Sequence, residues 1–149
     1  MNATDLAQLI AELLAAIHVL AGYPIPDAAP SVRLAPLSEM QSLVCRGPCQ
    51  VRGFYTQQHG VVVNEALDLT HDAAARSVLL HELVHYLQQL NKKFDRLPSR
   101  CGQWFARESE AYEIQNAYLR EQGNATRFDI ESIRHLCRDE APVSAVFGP

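Results

Sequence analysis

The 149-residue chain is 48% hydrophobic and 20% charged, with a net charge of −4 and no basic cluster longer than Lys92-Lys93. These values predict a single ordinary globular domain over residues 1–149, without the electrostatic footprint of a nucleic-acid binder. No apolar run approaches an uninterrupted bilayer span, so membrane insertion is not expected.

Residues 4–21 carry Leu6, Leu9, Ile10, Leu13, Leu14, Ile17 and Leu20 at helical spacing, predicting an amphipathic core helix with Thr4 as its cap. Asp5 and Glu12 interrupt the run and no positive charge precedes it, so it reads as a structural helix and not as a secretory leader. The proline-rich residues 22–30 form a connector. Residues 31–34 predict a short strand, and 38–44 a brief helix opened by Ser38. Residues 50–56 and 61–64, rich in Val, Phe and Tyr around a Gly-containing loop, predict a β-hairpin with His59 solvated near its tip.

A long helix follows, with Thr70 or Asp72 near its cap, running to about residue 91, where Lys92 and Lys93 suit the negative end of its dipole. Residues 94–102 turn the chain back. A second helix is predicted over 103–121, closed by Gly123, and a short last helix over 129–137.

The first long helix contains His81-Glu82-Leu83-Val84-His85 within an apolar run of Val78, Leu79, Leu80, Leu83, Val84, Leu87 and Leu90. Residues four apart share a helix face, so His81 and His85 can present two imidazoles to one metal ion. Glu82 lies about a quarter turn round, out of ligand position but within reach of a water at the metal. Two neutral imidazoles with a nearby base is the arrangement that zinc-dependent hydrolysis requires. The alternative is a pair of core histidines with ordinary hydrogen-bond partners.

A catalytic zinc takes a third protein ligand, and Gln88 and Asn91 stand where one protease pattern places a Gly and a third His. The second helix offers Glu108, Glu110 and Glu113. The first helix climbs about 12 Å from His85 to Lys93, and Glu110 lies about 10 Å back along the second. An antiparallel pair thus puts Glu110 level with the histidines, flanked by the small residues Ala106 and Ala117. Glu110 is therefore the expected ligand, with Glu108 second and Glu113 third.

His81-Glu82-Leu83-Val84-His85, with the downstream Glu110-Ala111-Tyr112, resembles the gluzincin branch of the zincin metallopeptidases over roughly residues 50–121. The resemblance implies Glu82 as the general base and residues 61–64 as the strand that aligns a peptide. Ile114 stands where some larger members have an Asp. Tyr86, Tyr112, Tyr118 and His135 remain open as the group that stabilises the oxyanion.

The expectation is an α+β, zincin-like domain: a small hairpin sheet packed on the motif helix, with further helices around it. Its function would be Zn2+-dependent hydrolysis of a peptide or protein, with His81, His85 and Glu110 on the metal. Two rivals remain, a non-catalytic binding or structural protein and an amidase acting on cell-wall peptides. Cys45, Cys49, Cys101 and Cys137 allow three pairings. The turn-prone insert between the first two favours 45 with 49 and 101 with 137, and a periplasmic or secreted protein. Free thiols in a cytoplasmic protein are the alternative.

Overall fold

A computed structural model describes residues 1–45 and 48–137. Helix α1 (Ala3–Ala21) is capped by Asn2, whose Oδ1 accepts the Asp5 N–H at 2.9 Å. Thr4, the expected cap, lies inside the first turn, because the residue outside the helix is the one whose side chain can reach the third amide. Strand β1 (Val32–Ala35) leads through helix α2 (Leu37–Val44) to strands β2 (Gly53–Thr56) and β3 (Gly60–Asn64). Helix α2 opens from Pro36 and not Ser38: the Pro36 carbonyl takes the Glu39 and Met40 N–H groups, both at 3.1 Å.

The three strands form one mixed sheet in the order β1-β3-β2, with β1 parallel and β2 antiparallel to β3. Residues 50–52 fall outside β2, and Val51 packs beneath the sheet instead. Alternation sorts β3 cleanly. Val62 faces Ala35, Met40, Val51 and Phe54 on the α2 side, while Val61 and Val63 join the main core. Gly60 turns the hairpin with φ +68, and a Cβ there would meet the Ser31 carbonyl oxygen at 2.6 Å, so only glycine fits.

Helices α3 (Ala73–Leu90) and α4 (Arg100–Glu121) pack together and carry the main core. Asp72 caps α3 through the Ala74 N–H, and Ser99 caps α4, which begins three residues earlier than its sequence suggests. Lys92 and Phe94, both at positive φ, turn the chain between them. The expected last helix is two 3-10 turns, Ile130–Ser132 and Arg134–Leu136, closed by i to i+3 bonds such as Ser132 N–H to Asp129 O. Cys45 is bonded to Cys49, and Cys101 to Cys137, which fastens this segment to the first turn of α4. His59 is half-buried, its ring edge-on to Phe54.

The observed class is α+β with a small sheet among helices. Helix α1 is long and apolar enough to cross a membrane by length and composition. Its Leu9, Ile10, Leu13, Leu14 and Ile17 are nevertheless buried in the core shared with α3 and α4. Ile17 is fully buried, so Ile17→Ala is expected to lower the unfolding free energy by about 3 kcal/mol in urea denaturation. An unchanged midpoint and slope would show that α1 lies outside the cooperative core.

Candidate functional site

Helix α3 is buried on most of its circumference, so His81 and Glu82 sit in the core, with 7% of each exposed. One turn further on, His85 brings its Nε2 to 3.1 Å from the Nε2 of His81. From α4, Glu108 closes the group: Oε2 stands 3.0 Å from His81 Nε2 and Oε1 3.0 Å from His85 Nε2.

Two glutamines decide which imidazole nitrogens carry protons. Gln115 Nε2 donates to Ser77 Oγ at 3.0 Å, and that hydroxyl donates onward to the Ala74 carbonyl. The Gln115 Oε1 must then face His81, accepting its Nδ1–H at 2.9 Å. Gln88 repeats the device. Its Nε2 donates to the Arg107 carbonyl at 2.9 Å and to Glu110 Oε1 at 3.2 Å, leaving Oε1 for the Nδ1–H of His85 at 2.9 Å. A neutral imidazole with its proton on Nδ1 has a bare lone pair on Nε2. Three acceptors therefore converge: two imidazole nitrogens and a carboxylate.

Acceptors so arranged repel unless a positive charge lies among them. Burial opposes protonation of His85, but the adjacent Glu108 carboxylate outweighs it and raises the imidazole to about 9. Burial likewise acts to raise Glu108, and the imidazoles of His85 and His81 overcome it, holding this carboxyl well below the usual range. A divalent metal can supply the same charge with directed bonds. His81, His85 and Glu108 offer three ligand atoms within 4.8 Å of one another, and their 3.0–3.1 Å spacings approach the ~3.3 Å between ligands of a tetrahedral zinc. Among the described residues, no fourth His, Cys, Asp or Glu joins the group.

Glu110, expected to be the third ligand, lies elsewhere. It is held by the Tyr23 hydroxyl, Lys93 Nζ and Gln88. Glu113 is exposed on the outer face of α4. Two residues of helix are about 200° of rotation, so glutamates at similar heights on α4 face different neighbours. Glu108 shares its face with Ala111 and Gln115, one and two turns on, whereas Glu110 turns toward the connector and the end of α3.

Glu82 lies beside the cluster of His81, His85 and Glu108. Burial raises its carboxyl, with the His81 and His85 imidazoles pulling the other way, and no described residue donates a hydrogen bond to it. Its room comes from β2. Gly53 pairs with Val63 and so lies on the α3 face of the sheet. A Cβ at Gly53 would stand 3.1 Å from Glu82 Cγ and 3.2 Å from Val78 Cγ1. Strand β3, expected to align a substrate, is the central strand and has both edges paired. The strand at the site is β2, which with His81, Glu82, His85 and Glu108 lines a cavity of about 520 Å³.

Of the four open residues, Tyr112 is the one at the site. Its ring packs 4.7 Å from that of His81 and stacks on Phe128, in a smaller cavity that Glu82 also lines. Tyr118 accepts from Arg76, and Tyr86 reaches back to the Ala28 carbonyl. His135 sits in the second 3-10 turn and lines neither cavity.

The profile of a family described as Domain of unknown function (DUF6647) matches residues 2–138. The chain belongs to that family. No curated protein and no solved structure matches it. The DUF6647 match spans every element that builds the site, from α1 to the segment bonded through Cys137.

Gln88, Gln115 and Gly53 were not singled out as site residues in the sequence. The available signal was a glutamine at 115 inside the apolar stripe of α4, where an unpaired amide is costly to bury. Gln115→Leu, similar in size, strands the His81 Nδ1–H and the amide acceptor on Ser77. It is expected to destabilise the fold by about 2 kcal/mol in denaturant titration. A neutral or stabilising change would mean that the His81 tautomer is not set by Gln115.

Proposed function

We propose that this protein is a zinc-dependent metallopeptidase in which His81, His85 and Glu108 hold the metal and Glu82 is the general base. The observation that carries the reading is the three-acceptor cluster, with both imidazole tautomers locked by glutamine, opening on a cleft beside a carboxylate. Structural zinc sites are usually closed by four protein ligands, whereas catalytic sites keep a position open. Three donors with a cleft beside them favour the catalytic case over the non-catalytic rival.

Zinc bound there supplies a Lewis acid that polarises a carbonyl and makes water acidic near neutral pH. The protein's own groups do the rest. Gln115 and Gln88 accept from the Nδ1 atoms and so aim the Nε2 atoms of both histidines at the metal position. The Glu82 carboxylate, raised by burial, accepts a proton from the attacking water and hands it to the leaving amine. The open edge of β2 offers main-chain hydrogen bonds to an extended peptide, in the manner of an added strand. Gly53 keeps that strand close to Glu82. The HExxH spacing and the downstream glutamate helix fit a zincin of the gluzincin kind, with Glu108 in the place first given to Glu110. The two disulfides suit an oxidising compartment, the periplasm or the cell exterior.

Glu82→Gln removes the base while preserving shape. The variant is expected to keep about one zinc per chain and the wild-type unfolding midpoint, and to lose at least about 100-fold in peptide hydrolysis. Hydrolysis within threefold of wild type by the purified variant contradicts the mechanism.

A further inference from the structure

The cleft has a second lining besides β2 and the motif helix. Arg100, Gln103, Trp104 and Arg107 succeed one another at helical spacing and so share one face of α4. All four border the cavity that contains His81, Glu82, His85 and Glu108. The chain as a whole is acidic, yet the charged groups lining this cavity beyond Glu82 and the metal-ligand group are both guanidinium ions. Arg107 donates from Nη2 to Asp95 at 2.8 Å, which fixes its head and leaves further N–H donors for a ligand. Arg100 is exposed and makes no ion pair with any described residue.

Resting on the peptidase reading, we propose that the cleft selects peptides carrying an acidic side chain close to the bond cut, on the flank that lies toward the first two turns of α4. Arg100 and Arg107 take the carboxylate, for which the planar guanidinium is the best-matched donor. Trp104 covers the methylenes. With Glu108 occupied by two imidazoles, the one other carboxylate lining the cavity is Glu82. Asp95, outside that lining, shares the Arg107 head, which leaves Arg100 as the unpaired cation for an acidic side chain seated against α4.

Trp104 is the chain's single tryptophan, so its fluorescence reports occupancy of this wall directly and without turnover. The test titrates the full-length, zinc-loaded Glu82→Gln protein with three peptides identical except for Glu, Gln or Lys on both sides of the central bond. The Glu peptide is expected to bind at least about fivefold more tightly than the Gln peptide, by a margin that shrinks as salt is raised. Arg100→Glu, at the first position of α4 where an acidic residue suits the helix dipole, is expected to abolish or reverse that order. Equal affinity for all three peptides, or an unchanged order in Arg100→Glu, overturns the proposal and leaves the peptidase reading standing. Binding of none of them, together with no hydrolysis by wild type, overturns both.

Discussion

Three buried acceptor atoms that face one another within about 3 Å are unstable without a positive charge between them. That constraint governs the middle of this protein. The Nε2 atoms of His81 and His85 and the carboxylate of Glu108 converge, and the glutamines on the far side of each imidazole draw its proton away from the convergence point. A proton shared with Glu108 satisfies the electrostatics but leaves the directional match to metal geometry unexplained. The proposed zinc ion would answer both.

The rest of the fold keeps these groups in register. Helix α3 is buried on nearly every side, which prevents it from rotating and fixes the row formed by His81 and His85. Helix α4 must cross at a level that brings Glu108, and not Glu110, to that row. Glu110 helps to set the crossing: with Tyr23, Lys93 and Gln88 it joins the connector after α1, the turn after α3 and α4 itself. Glu110 thus stands two hydrogen bonds away from the His85 ring, through Gln88. The sheet adds one more restraint, because Gly53 brings β2 against Glu82 at a distance that no side chain permits without displacement.

Much of this was legible in advance where the signal was local. The heptad-like stripe of α1, the hairpin around Gly60 and the HExxH helix each follow from spacing along one element, and all are present. The pairing of cysteines was also accessible, since three residues separate Cys45 from Cys49, and bridging those two leaves one arrangement for the others. What sequence could not fix was rotation. Choosing between Glu108 and Glu110 needs the angle at which α4 faces α3, and that depends on where Ser99 starts the helix and how Lys92 and Phe94 turn the chain. Sheet order was equally hidden: β1 pairs with β3 across an intervening helix and strand, so the strand expected at the substrate became the central one. The outer partners, Gln88 and Gln115, carry no motif and emerge only once the imidazoles have a direction.

The most direct test of the account is metal content by elemental analysis of the purified protein beside Glu108→Gln and Glu110→Gln. The structure-based assignment predicts about one zinc per chain in wild type, a large loss in Glu108→Gln and retention in Glu110→Gln, whose effect should fall on stability. Zinc lost in Glu110→Gln but kept in Glu108→Gln would contradict the assignment. Wild type that takes up no zinc after reconstitution would remove its central claim.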